Sequence, residues 1–148
     1  MADQSEVAYC GLFCGDCVIR KGRLAALSLD LLDRMRTPEF QKLAEGLPEL
    51  KPELFDALRE YPTCCCVLEA MSHLDCEKVC KAGGGSAACP IRGCCQAKGA
   101  EGCWSCGQFE TCETLSWLNP VHQDAHRRNI RMIREQGMDE FLKGEKHW

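Results

Sequence analysis

Cysteines grouped at short gaps constrain this chain more than anything else in it. Fourteen of its 148 residues are cysteine. One group opens the chain as Cys10-Gly11-Leu12-Phe13-Cys14-Gly15-Asp16-Cys17, and another closes it through Cys89, Cys94, Cys95, Cys103, Cys106 and Cys112. Thiols spaced in this way either pair as disulfides or hold a metal. A chain of ~150 residues buries ~70% of its surface on folding, so disulfides are not required for stability at this length. The stretch from Met1 to Val7 has neither a basic nor an apolar region, unlike a secretory signal. No run approaches the ~18 apolar residues of a membrane span. The expectation is therefore a cytoplasmic chain with no membrane partner. There, clustered cysteines are metal ligands more often than disulfides or free redox thiols.

Zinc takes four tetrahedral ligands, and Cys-x2-Cys is its usual half-site because the tight turn aims both sulfurs at one point. Two such half-sites are present, Cys14/Cys17 and Cys103/Cys106. Together they suffice for one four-cysteine site that would close the N-terminal segment onto the C-terminal one. Cys76, Cys80, Cys89, Cys94 and Cys112 carry enough sulfur for a second, and Cys10 can serve either. These ten cysteines are the candidate ligands, for two Zn2+ ions. Cys65, Cys66 and Cys95 are expected instead as small buried hydrophobes. With Cys64, they form a remainder beyond the ligand set. An iron–sulfur cluster is the alternative cofactor. Cys10-x3-Cys14-x2-Cys17 has the spacing used by radical S-adenosylmethionine enzymes, but Asp16 stands where those carry an aromatic residue. They also need a large strand-rich barrel. Cys89-Pro90 matches one element of a ferredoxin run, whose Cys-x2-Cys-x2-Cys core is missing.

Between the cysteine groups the pattern is helical. Leu24, Leu27, Leu31, Leu32 and Met35 recur at helical spacing. Thr37-Pro38-Glu39 reads as a capped helix start, and Lys51-Pro52-Glu53 partly repeats it, with Leu54, Phe55 and Leu58 as its apolar face. A short helix is expected from Cys64 to about Leu74. Lys81-Ala82-Gly83-Gly84-Gly85-Ser86 lacks the spacing of a phosphate-binding loop and reads as a turn between metal ligands. A last long helix is expected from Pro120-Val121 to a cap at Gly137, with a final turn through Phe141. Alternating valine- and isoleucine-rich runs are absent. The expected class is mainly α, a small helical domain with cysteine-rich metal-binding loops and at most short strands. It would be one domain over residues 1–148, with metal-binding segments 9–20 and 76–115 and helical segments 18–74 and 116–142.

Eighteen basic against 22 acidic side chains give a net charge of −4, which argues against a nucleic-acid partner. The segment from His122 to Arg134 is locally basic, with Arg127, Arg128, Arg131 and Arg134 against Asp124. It reads as a solvated helix face. His122 and His126, four apart on that helix, read as surface residues rather than ligands.

The opening Cys10-Gly11-Leu12-Phe13-Cys14-Gly15-Asp16-Cys17, the middle Lys81 with its three glycines, and the closing Cys89-Pro90-Ile91-Arg92-Gly93-Cys94, Cys103-Trp104-Ser105-Cys106 and Cys112-Glu113-Thr114-Leu115 resemble the motifs of a family. It comprises small bacterial and archaeal proteins grouped as a domain of unknown function. The resemblance implies zinc binding and no established reaction. The segment from Leu24 to Tyr61 carries none of it, and the triplet Cys64–Cys66 and the doublet Cys94–Cys95 depart from it. No Ser-His-Asp, Cys-His or paired-carboxylate constellation is legible, so the sequence leans away from an enzyme. The reading is a binding or adaptor module with structural zinc and a protein partner. A thiol redox or metal-transfer protein is the alternative.

Overall fold

The structure, a computed structural model, describes residues 3–148. The first two residues of the N-terminal stretch examined for a leader therefore lie outside the described residues. The fold is mainly α, with short 3-10 turns in the cysteine-rich segments. Among the described residues the β pairing is a single isolated bridge, Val7 to Phe13. No helix is long and apolar enough to cross a membrane among the described residues. The chain divides into two compact units: Val18–Asp75, and the described residues up to Cys17 together with Cys76–Trp148.

The first unit contains α1 (Val18–Gly22), α2 (Leu24–Met35), α3 (Pro38–Leu50), α4 (Pro52–Phe55) and α5 (Tyr61–Ser72), with a 3-10 turn over Asp56–Glu60 before α5. Thr37 caps α3 as its sequence predicts, its hydroxyl accepting from the Phe40 N–H at 3.3 Å, with Pro38 in the first turn. The core is Leu32, Met35, Cys65 and Leu68, with Phe40, Tyr61 and Met71 packed against it. The Tyr61 hydroxyl donates to the Met35 carbonyl at 2.8 Å, so α5 is pinned to the end of α2 by its first residue. The buried face of α2 is Ser28, Leu32 and Met35. The leucines expected on that face divide, with Leu27 and Leu31 61% and 47% exposed. A run so rich in leucine has two apolar stripes, and only the packing of α5 chooses between them. α5 starts three residues before Cys64, since Pro62 suits a first turn. Cys65 is buried as expected, whereas Cys64 and Cys66 are exposed. Successive helical side chains diverge by ~100°, so one of three adjacent thiols faces the core.

The second unit contains α6 (Pro90–Ala97), α7 (Glu113–Ser116), α8 (Asn119–His122), α9 (Ala125–Gln136) and α10 (Met138–Lys143). The long helix expected from Pro120 is broken at Gln123, whose φ of 49° leaves the helical region. Gly137, at φ 86°, ends α9 as expected, and its N–H reaches the Ile133 carbonyl. α10 then turns Phe141 into a cluster with Val7, Phe13 and Ile133. A larger cluster joins Ala8, Cys10, Ile91, Cys95, Cys103, Phe109, Leu115 and Ile130. Leu115, Ile130 and Phe141 are fully buried, each contributing about 1.5–3 kcal/mol of transfer free energy. This core lies directly under the cysteine-rich turns.

Candidate metal centre

Eleven of the fourteen cysteines fall in this second unit and three in the first. No disulfide links them among the described residues. The opening motif is a tight hairpin. Ala8 N–H donates to the Leu12 carbonyl at 2.8 Å and Gly11 N–H to the Ala8 carbonyl at 2.9 Å. Gly11 sits at φ +84°, and a Cβ there would lie 2.9 Å from Ile130 Cγ1 and 3.2 Å from the His126 carbonyl oxygen. Glycine thus lets the hairpin rest directly on α9. The nearby Leu12 N–H favours the thiolate of Cys10.

A first group of sulfurs surrounds this turn. The thiols of Cys80, Cys89 and Cys14 lie near enough to Cys10 to raise its pKa, and those of Cys80, Cys17 and Cys76 do the same for Cys14. The nearby Cys80 N–H favours the Cys14 thiolate, and the Tyr9 N–H and the Arg92 guanidinium, which donates to the Cys80 carbonyl at 3.2 Å, favour that of Cys80. The Cys76 thiol donates to the Lys78 carbonyl at 3.4 Å. Burial pushes the Cys10 thiol up to about 12, partly offset by the Leu12 N–H, with the neighbouring sulfurs adding to the rise. Cys14 and Cys80 are also raised, chiefly by burial.

The glycine loop that carries Cys80 is built around Arg92, 7% exposed. Its guanidinium donates to the carbonyls of Cys80 at 3.2 Å, Gly84 at 2.7 Å and Ser86. A Cβ on Gly84 would fall 1.7 Å from the Lys78 carbonyl oxygen, so no other residue fits there. The loop's carbonyls are turned inward onto a cation, opposite to a loop that cradles phosphate with its N–H groups. This agrees with the reading of that loop as a turn between cysteines.

A second group lines a cavity of about 40 Å³ formed by Cys94, Cys95, Cys103, Cys106 and Cys112 with Lys98, Phe109 and Leu115. Cys95 and Cys103 are buried with their sulfurs 3.7 Å apart. Both thiols are raised, first by burial. The arginines of α9 stay exposed or half-exposed, as the expected helix face, and three of them also bond to this rim. Arg127 donates to the Cys112 carbonyl at 2.9 Å and to Ser116 Oγ at 3.1 Å. Arg131 makes two hydrogen bonds to the Glu110 carboxylate at 2.5 Å. Arg134 donates to the Cys106 carbonyl at 3.1 Å and lies 5.2 Å from the Phe109 ring centroid. Arg128, exposed like Arg134, pairs with Asp124.

The grouping of thiols differs from the sequence reading. Cys103 and Cys106 share a cavity with Cys94 and Cys112 rather than with Cys14 and Cys17, which neighbour Cys10, Cys76 and Cys80. Cys95, expected as core alone, is both core and cavity lining. Hydrogen bonds such as Cys103 N–H to the Tyr9 carbonyl, 2.7 Å, create this arrangement across 94 positions of chain, and sequence spacing carries no trace of it.

His126 is fully buried, contrary to the surface role expected. Its Nε2 lies 3.2 Å from an Arg127 N–H, which can only donate, so the ring's proton sits on Nδ1. Burial, then the Arg127 and His122 charges, lower its pKa to about 4. His122 lies on α8, beyond the break at Gln123, and meets the Trp148 ring edge-on at 4.7 Å.

Among the described residues, no three His, Cys, Asp or Glu side chains converge as a ready metal-binding set. The donors nevertheless fit a soft or borderline divalent ion in kind. They are sulfurs free of disulfides, and Arg92 and Lys98 stand beside them as counter-charges.

Fold and thiol arrangement together define a small, mainly helical, cysteine-rich protein. Residues 6–117 match the family described as protein of unknown function (DUF3795), and the chain belongs to that family. No curated protein and no solved structure matches the chain.

Proposed function

We infer that the protein binds zinc through thiolates as a structural element of a binding or adaptor module. The first ion would be held from Cys10, Cys14, Cys17, Cys76, Cys80 and Cys89, and the second from Cys94, Cys103, Cys106 and Cys112. The observation that carries this reading is the gathering of eleven cysteines, none in a disulfide, in one compact unit, with Cys94, Cys95, Cys103, Cys106 and Cys112 around one cavity. Buried thiols that hold their protons in the metal-free chain would release them as an ion draws the sulfurs together. The sulfur-only donor set favours a structural site over a catalytic one, which keeps an open position. Zinc supplies cross-linking and no redox chemistry.

Elemental analysis of freshly purified protein, with a visible spectrum, tests the metal directly. Two zinc equivalents and no visible absorbance are expected; a brown sample would replace zinc by an iron–sulfur cluster. Structural zinc is worth about 10–16 kcal/mol of apparent binding free energy in small domains. A strong chelator should therefore lower the melting temperature of the cysteine-rich unit markedly, and an identical melting curve would refute a structural role.

A further inference from the structure

A groove of about 370 Å³ opens in the first unit, and no cysteine lines it. Clefts that hold ligands run from about 300 to 1,000 Å³. α3 supplies Gln41, Ala44 and Glu45, the 3-10 turn supplies Leu58 and Arg59, and α5 supplies Tyr61 and Pro62. Tyr61 is a fixed part of the wall. Its ring packs against Phe40 with centroids 5.9 Å apart, and its hydroxyl donates to the Met35 carbonyl at 2.8 Å. The polar groups lean towards acceptors. Arg59 is the cation of the lining, and it is already paired, with Asp56 and with Glu49, both at 2.9 Å. Among the described residues Glu45 meets the Gln41 amide, at 3.3 Å, and no cation. Three carboxylates thus stand around one guanidinium, so the groove is net negative. Pro48 adds a further acceptor. It lies inside α3 without an N–H, so the carbonyl of Ala44, a lining residue, lacks the donor that a helix supplies four residues on.

We propose that this groove docks an arginine of a partner protein, flanked there by apolar residues. Ala44, Leu58, Pro62 and the Tyr61 ring offer apolar surface to the aliphatic stem and its neighbours. A carboxylate with no cation, a carbonyl short of its donor and an aromatic ring suit a guanidinium, whose planar fork donates to oxygens and stacks on rings. Lysine brings a compact charge with no plane to stack. Arg59 does not repel the newcomer, because Asp56 and Glu49 offset its charge. An acidic segment would meet Glu45 with nothing to balance it. The wall is already held by Phe40 and the Met35 carbonyl, so docking orders little of this chain. The proposal names the partner chemistry that the adaptor reading leaves open, and takes from that reading only that the occupant is a protein.

The test titrates the full chain, labelled with 15N, with the end-capped tripeptide Leu-Arg-Leu and follows the backbone amide shifts. Saturable shifts are expected at Gln41, Ala44, Glu45, Leu58 and Tyr61. The peptide Leu-Gln-Leu, which loses the ion pair and the ring contact, should bind about 3–30-fold more weakly. Glu45→Gln alters an exposed side chain without changing its shape, and should weaken Leu-Arg-Leu about 2–5-fold. Glu53→Gln, at an exposed position of α4 outside the lining, should leave binding unchanged. Equal binding of the two peptides, wild-type binding by Glu45→Gln, or shifts scattered away from the lining overturns the proposal. Groove shifts that grow with protein concentration in the absence of peptide would assign the groove to a second copy of this chain and overturn the partner assignment. Zinc-loaded protein that ignores the peptide sinks the docking alone, whereas zinc-free protein that binds it sinks the metal reading and leaves the docking standing.

Discussion

Replacing Gly11 by alanine is the sharpest test of how the opening motif is seated. The perturbation adds one methyl group at φ +84°, with Ile130 Cγ1 at 2.9 Å, the His126 carbonyl oxygen at 3.2 Å and Ile130 N at 3.4 Å. The left-handed backbone costs an L-residue ~1–2 kcal/mol. Overpacking against a buried neighbour adds ~1–3 kcal/mol, and Ile130 is fully buried in the core. Alanine also restricts the unfolded chain, which returns ~0.4–1 kcal/mol. The expected net loss is about 1.5–4 kcal/mol. Gly99 supplies the control, because it too has a positive φ, of 60°, but nothing lies within 4 Å of its added Cβ. Gly99→Ala should therefore lose only the backbone part, about 0.5–1 kcal/mol. Urea unfolding followed by tryptophan fluorescence reads the right unit, since Trp104, Trp117 and Trp148 all belong to it. Equal losses for the two variants would refute the claim that the hairpin is packed directly on α9.

Two further outcomes follow from the same kind of accounting. Gly46 lies inside α3 with nothing within 4 Å of an added Cβ, so Gly46→Ala should stabilise the first unit by about 0.5–1 kcal/mol. Loss of helical signal at a lower urea concentration than wild type would contradict that. His126 titrates near 4 in the folded chain against 6.5 when unfolded, so the unfolded state binds its proton first as pH falls. Its contribution is fully present above 6.5 and is lost progressively as pH drops from there toward 4. His126→Gln should make stability less dependent on pH in that window, and parallel curves for the two proteins would rule out a buried neutral imidazole.

Much of the helical framework was legible because it is set by neighbours in sequence. Thr37 and Pro38 start α3, and Gly137 ends α9, through backbone groups at most four residues away. The break at Gln123 was not legible, since glutamine favours a helix and its positive φ comes without a local signal. Nor was the task of Arg127, Arg131 and Arg134. An arginine on a polar helix face looks the same in sequence whether it meets water or the Cys112 and Cys106 carbonyls. The exposure of Leu27 and Leu31 is a third case, decided by which stripe of α2 meets α5.

The chain's own composition and spacing determined that it would be mainly helical and that its chemistry would be that of sulfur. Short-range rules suffice for both, because caps and half-site turns close within a few residues. Which thiols stand together was decided by tertiary structure alone. The Tyr9 carbonyl accepts the Cys103 N–H, Gly11 lets that turn settle on α9, and Arg92 folds the glycine loop inward. Each is a contact between segments distant in sequence, where spacing has no bearing and only packing, charge and hydrogen-bond satisfaction choose the partner.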